Sequence, residues 1–149
     1  MLTDDGPKVI EYNCRFGDPE TQVVLPLLES DLMKIMLAVE NETLAECEVR
    51  FSSLSCCCVV LASGGYPVAY EKGKLMDIPE SENIEIFHAG TKLTDGKFYT
   101  SGGRVLGVTA VRDSLEKAIK AAYAAAEKIS FDGVYMRHDI GKRALAYKK

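Results

Sequence analysis

What the chain lacks narrows the field first. No apolar run in its 149 residues comes near the roughly 18 uninterrupted residues that a membrane-spanning helix needs. The opening MLTDDGPK carries two acids and no apolar stretch, so it does not read as a secretory leader. There is no basic excess: 18 Lys and Arg stand against 22 Asp and Glu, a formal net charge of −4. Bulk charge therefore implies no nucleic-acid surface, and neither nucleic acid nor membrane is expected as a partner. No segment repeats and none is of low complexity. What remains is ordinary globular usage, 47% apolar and 27% charged, in a chain of about one domain's length that can bury a real core.

The cysteines lack the spacing of a metal site. Zinc ligands usually come in pairs two to four residues apart so that both reach one ion. Here Cys56, Cys57 and Cys58 are consecutive and Cys14 and Cys47 stand alone. Consecutive residues of a strand point to opposite faces. Flanked by Leu54 and by Val59, Val60 and Leu61, the three read as small apolar strand residues. An odd cysteine count without a leader favours a reducing, cytoplasmic setting.

Periodicity predicts an α+β chain. Asp5-Gly6-Pro7 is a hairpin-type turn, with proline blocking further pairing. Lys8 to Asn13 reads as a short strand with Val9, Glu11 and Asn13 on one face. Asp18 is placed to cap a helix, with Pro19 at its first position and Glu20 where the helix dipole favours an acid. Apolar residues from Val23 to Val39 then recur at helical spacing, broken into two pieces by Pro26 and Ser30-Asp31. Asn41 to Glu48 is a polar connection. Leu54 to Ala62 is a buried strand, Ser63 to Pro67 a turn and Ile84 to His88 a strand. Phe98 to Thr100 and Arg104 to Val111 read as one hairpin across Gly102-Gly103. Asp113 and Glu116 form a capping-box-like pair opening a helix whose stripe runs from Leu115 to Ile129. Asp132-Gly133 turns into a last strand at Val134 to Arg137.

The chemistry concentrates near the start. A Glu-x-Asn pair in extended chain sets a carboxylate and an amide oxygen about 7 Å apart along the backbone. Hard oxygens of that kind suit Mg²⁺ while leaving positions for phosphate oxygens. A second carboxylate in place of the amide would add negative charge where a triphosphate must sit. Arg15 offers a planar fork for phosphate or carboxylate. Other features read more plainly. His88 and His138 are lone histidines. Gly102, Gly103 and Gly107 lack the strand-to-helix crossover of a dinucleotide fingerprint and read as turn and packing glycines, although Arg104 beside them is able to meet a phosphate. Lys142, Arg143, Lys148 and Lys149 make a mildly basic, solvated tail. Glu80, Glu82 and Glu85 belong to a solvated stretch. Lys74-Leu75-Met76 is a poor match to a biotin- or lipoyl-carrier hairpin.

The longer string is more specific. Val9-Ile10-Glu11-Tyr12-Asn13-Cys14-Arg15-Phe16-Gly17-Asp18-Pro19-Glu20-Thr21-Gln22 resembles the signature segment of the glycinamide ribonucleotide synthetase family of ATP-grasp ligases. Ala62 to Pro67, Phe87 to Thr91 and Ser101 to Ala110 resemble three further blocks in the same order. Arg137-His138-Asp139-Ile140-Gly141 resembles the closing block, with His138 where the family has lysine. The resemblance implies joining of 5-phosphoribosylamine and glycine at the expense of ATP, with Mg²⁺ or Mn²⁺ as cofactor. It implies that Glu11 and Asn13 hold the metal, that Arg15, Asp18 and Glu20 orient substrate or acyl phosphate, and that His88 and Arg104 meet substrate. The family enzyme is much longer, with its nucleotide-grasping part upstream of the signature.

This chain is accordingly expected to be a C-terminal piece, inactive alone. Residues 1–40 would end the ATP-grasp domain, and residues 41–149 would form a C-terminal domain like the hybrid-motif domain of biotin carboxylase. Its expected partners are the small-molecule substrates and the upstream segment. An unpaired edge strand beside an exposed apolar helix also invites self-association. The alternative is a non-catalytic binding or assembly module on the same fold. The signature discriminates, since a scaffold has no need for an acid, an amide and an arginine on one edge.

Overall fold

A computed structural model describes residues 1–146. It is α+β with antiparallel sheets. The centre is a four-stranded sheet, order β4-β7-β3-β8, formed by β3 (Ser55–Ser63), β4 (Glu85–His88), β7 (Arg104–Arg112) and β8 (Val134–Tyr135). Every pairing in it is antiparallel. The preceding pieces are a two-residue hairpin, β1 (Leu2–Thr3) and β2 (Gly6–Pro7), and two helices, α1 (Thr21–Val24) and α2 (Leu32–Glu40). Between β4 and β7 lies a separate hairpin, β5 (Thr91–Thr94) and β6 (Lys97–Thr100). Helix α3 (Leu115–Ala126) connects β7 to β8, and α4 (Lys142–Ala146) follows β8.

Register decides which side of the sheet becomes core. Cys57, Val59 and Leu61 pair with Ala110, Val108 and Leu106. Because side chains alternate along a strand, these six share one face. All are buried, and they form one cluster with Ala118, Ala122, Ala125 and Ala126 of α3. A helix face of alanines lets α3 lie close on the sheet. Its start is fixed by Ser114, whose hydroxyl accepts from the Lys117 amide at 3.3 Å. The predicted Asp113–Glu116 box is thus displaced by one residue, because Asp113 instead pairs with the Lys117 ammonium at 2.6 Å. The opposite face carries Cys56, Cys58, Gly107 and Thr109 by the same alternation, and α1 packs on β3 and β7. The three adjacent cysteines thus divide between the faces as predicted. Burial, and then the charge of neighbouring thiols, pushes Cys56 and Cys57 up to about 11.

Two predicted strands come out differently. Of the predicted strand, Lys8 pairs back to Met1, and residues 9–13 join no sheet among the described residues. Val9, Ile10 and Tyr12 stand 68%, 70% and 82% exposed. Pro7 does not stop the first hairpin, since Met1 and Lys8 exchange both backbone bonds beyond it, at 2.7 and 2.8 Å. By alternation the Leu2–Pro7 pair then falls at a non-hydrogen-bonded position, where a missing N–H costs nothing. The second difference concerns β6, which pairs with β5 rather than with β7. Asp95 and Gly96 both take positive φ between those strands, the geometry of a tight two-residue hairpin turn. The two-piece helix, the turn before β8 and the breaks at Ser30-Asp31 agree with the pattern. Asp31 caps α2 by accepting from the Met33 and Lys34 amides.

Candidate functional site

The signature segment has no regular secondary structure up to Gly17, so its side chains are placed by their own bonds. Asp18 does not cap a helix, and Pro19 lies outside one: the Asp18–Pro19 peptide is cis and α1 begins only at Thr21. The loop is closed from within instead. Glu20 Oε1 accepts from the Gly17 amide at 2.9 Å and from the Asn13 side-chain amide at 3.0 Å. The Thr21 hydroxyl and amide both donate to the Gly17 carbonyl. Gly17 is buried in this wrap, and a Cβ there would stand 2.8 Å from the Glu20 carboxyl, which would have to shift.

Asp18 is held from outside the loop. Arg104, 86 positions later at the start of β7, places Nη2 at 3.0 Å from Asp18 Oδ2 and Nη1 at 2.9 Å from the Asp18 carbonyl oxygen. Gln22 donates to the other carboxylate oxygen, Oδ1, at 3.0 Å. That leaves the buried Gln22 Oε1 without a partner among the described residues. Below the loop, burial raises the Cys58 thiol above its ordinary value, and the nearby Asp18 carboxylate adds to that.

An open cleft of about 680 Å³ runs along this junction. It is lined by Asp18 and Gln22 from the loop and α1, by Glu85, Phe87 and His88 of β4, and by Val111 of β7. His88 is oriented twice over. Its Nδ1 lies 3.0 Å from the Thr91 hydroxyl, and its ring stacks on Phe98 at 4.4 Å between centroids.

The predicted site residues therefore divide. Asp18 and His88 share the cleft, with Arg104 clasping Asp18. Asn13 and Glu20 are bonded to each other in the loop above it. Arg15 is exposed and, among the described residues, reaches only the neighbouring Phe16 carbonyl, at 3.3 Å. Glu11 is exposed and makes no side-chain hydrogen bond or ion pair among the described residues. Three polar residues of the cleft, Thr21, Gln22 and Glu85, lie outside the predicted site set. Glu85 reads in the sequence as part of a solvated stretch, and it is exposed. Thr21 and Gln22 belong to the signature segment, and for Gln22 a place one turn after Asp18 is the signal that points to it. Of the basic tail, Lys142 and Arg143 lie in α4, while Lys148 and Lys149 fall outside the described residues. His138 stands on Tyr123, ring centroids 6.2 Å apart, away from the cleft.

The donor set can be tested against a divalent ion. Among the described residues no three His, Cys, Asp or Glu side chains converge tightly enough to hold one. What the chain offers is a carboxylate at Glu11 and the Asn13 amide, whose nitrogen is spent on Glu20 and whose oxygen is left over. That is part of a coordination sphere made of hard oxygens. It fits an ion that keeps several waters and completes its shell with phosphate oxygens, as Mg²⁺ does.

Known proteins match along the whole chain. Residues 56–143 match the family described as phosphoribosylglycinamide synthetase, C domain, and residues 1–21 match its ATP-grasp (A) domain. A phosphoribosylamine–glycine ligase of Synechocystis is 50% identical over 142 residues, covering 93% of this chain and 34% of the relative. A bifunctional purine biosynthetic protein of Schizosaccharomyces pombe is 49% identical over 151 residues, covering 100% and 19%. The crystal structure of phosphoribosylamine–glycine ligase from Thermotoga maritima superposes with a TM-score of 0.73 at 39% identity, covering 94% of this chain and 35% of that one. The chain thus spans about a third or less of the length of these relatives. It belongs to the phosphoribosylglycinamide synthetase family and carries that family's C domain.

Proposed function

We propose that the chain supplies the C-terminal share of a phosphoribosylamine–glycine ligase active site. In that reaction a glycine carboxylate oxygen takes the γ-phosphoryl group of ATP, releasing ADP. The amine nitrogen of 5-phosphoribosylamine then attacks the carbonyl carbon of the acyl phosphate. Phosphate leaves, the nitrogen gives up a proton, and glycinamide ribonucleotide remains. The observation that carries this reading is the signature loop tied to the C-terminal sheet, with Asp18 and Glu20 already partnered and the cleft beside them open.

Glu11 and the Asn13 oxygen are the metal ligands of this reading. A bound Mg²⁺ or Mn²⁺ would neutralise charge on the phosphoryl group in transfer. Arg15, exposed and paired with no acid among the described residues, is free to swing onto an acyl phosphate. Asp18 and Glu20 orient the loop and the substrate beside it, and His88 is the substrate-side residue of the C-terminal unit. Residues 1–40 end an ATP-grasp domain in this reading, and residues 41–149 form a hybrid-motif-like domain. The free thiols suit a reducing cytoplasm.

The nucleotide is held by the upstream part of the enzyme, which docks on the exposed apolar side chains of residues 9–12 and α2. Without that part, the same surface favours self-association. A scaffold reading leaves the Glu11, Asn13 and Arg15 set without a task.

The test is Mg²⁺-dependent ADP formation with glycine and 5-phosphoribosylamine. It is run on this chain alone, and again with a separately expressed upstream ATP-grasp segment. Turnover only in the mixture is expected. A rate from this chain alone would overturn the shared site, and no rate in either would overturn the ligase reading.

A further inference from the structure

We propose that Arg104 is a positioning residue, which sets the signature loop through Asp18 instead of touching substrate. Its launch point is rigid. The Ser63 amide donates to the Gly103 carbonyl at 2.8 Å, and the Ser63 hydroxyl to the Gly102 carbonyl at 2.9 Å. The Gly90 amide donates to the Arg104 carbonyl at 2.8 Å, and the Ser101 amide to the Gly90 carbonyl at 2.7 Å. The glycines permit this packing. A Cβ on Gly90 would stand 2.5 Å from the Arg104 carbonyl oxygen, and one on Gly103 would stand 2.1 Å from the Tyr66 ring. From that platform the guanidinium grips one residue at two points, the Asp18 carboxylate and the Asp18 carbonyl. A half-exposed ion pair is ordinarily worth little. A planar fork closed on a side chain and its own backbone fixes geometry in a way that a single contact does not.

The consequence runs on through the loop. Asp18 is two residues from Glu20, and Glu20 holds both the Gly17 amide and the Asn13 side chain. Fixing Asp18 therefore fixes where the Asn13 oxygen faces. Gln22 is drawn into the same arrangement, its amide group committed to Asp18 at the expense of its buried oxygen. The C-terminal sheet thereby sets the loop that offers the metal ligands. That last step rests on the ligase reading; the clasp itself does not.

Amide hydrogen exchange on this chain tests the clasp without any activity. In Arg104→Ala, the amides of Gly17 and Thr21 to Val24 should exchange about tenfold faster, while those of β3 and β7 hold their rates. Arg104→Lys, with one point charge for a fork, should fall between the two. Asp18→Asn keeps the backbone acceptor and should also fall between. Loop exchange within about twofold of the unchanged chain in Arg104→Ala would overturn the proposal. Equal acceleration in β3 and β7 would overturn it too, since Arg104 would then serve only general stability. If no ligase can be reassembled, the ligase reading fails while the exchange result still decides the clasp.

Discussion

Leu106 and Leu37 sit at regular positions of a strand and a helix, and the fold treats them oppositely. Leu106 is 1% exposed under α3, whereas Leu37 on α2 is 54% exposed. The contrast holds for whole regions. Every apolar residue buried among the described residues lies between Cys57 and Phe131. Residues 1–54 contain apolar side chains in helical spacing and bury none of them. Amphipathic pattern makes a helix face; only a second surface makes a core. Residues 55–146 supply both layers, a sheet and α3. The earlier residues supply one layer and are tied to the rest by α1, the loop and polar clasps.

The largest effect should come from emptying the core. Leu106→Ala is expected to cost about 2–5 kcal/mol in denaturant unfolding, by lost burial and a cavity that α3 cannot fill. A cost below about 1 kcal/mol would mean that the sheet and α3 are not one tightly packed unit. Next is backbone approach. Gly90→Ala puts a methyl against the carbonyl of Arg104 and the backbone of Gly102, neither of which is a flexible side-chain end. We expect a loss of about 1–3 kcal/mol, read as a lower melting temperature. An unchanged melting temperature would show that the platform under Arg104 gives way easily.

Thiol chemistry sharpens the same comparison. Cys57 is buried and Cys14 exposed. Burial raises Cys56 and Cys57 from the ordinary 9.0 to about 11. Folded chains therefore hold those protons where unfolded chains release them. Their contribution to stability is whole below pH 9 and is lost as pH rises through about 11. Iodoacetamide at pH 8 should modify Cys14 to completion and leave Cys57 untouched in the folded protein. Equal rates at the two would mean that β3 opens freely.

Much of this fold was legible in the sequence, and the misses share a cause. The strand read at 54–62 shows in its continuous apolar run, the split of the first helical stretch in Pro26 and Ser30-Asp31, and the stripe of α3 in its period. Lys8 to Asn13 has the pattern of a strand, but a strand is a relation to neighbours, and among the described residues only Lys8 finds one, in Met1. The β5–β6 hairpin was signalled by Asp95-Gly96, overshadowed by the stronger Gly102-Gly103 signal further on. At the site, the residue types were legible from the signature, and their partners were not. Asp18 looks like a helix cap to anyone reading locally; that it answers to Arg104, 86 positions away, only the folded chain reveals. The Asn13–Glu20 bond likewise depends on how the loop closes.

The smallest effect on stability is the most informative about the apolar face of α2. Leu37→Ser exchanges an exposed leucine for a polar residue on a helix that has no buried residue. Unfolding free energy should move by no more than about 0.5 kcal/mol. The same change should weaken whatever the face binds, because exposed apolar area gives little to a monomer and much to an interface. Sedimentation of this chain alone, and of the chain mixed with the upstream segment, separates the two quantities. Stability held constant while association weakens would establish that residues 1–54 keep their apolar side chains for a partner. A stability loss on the scale of Leu106→Ala would mean instead that α2 has a packing surface within this chain, and the contrast between the two regions would fall with it.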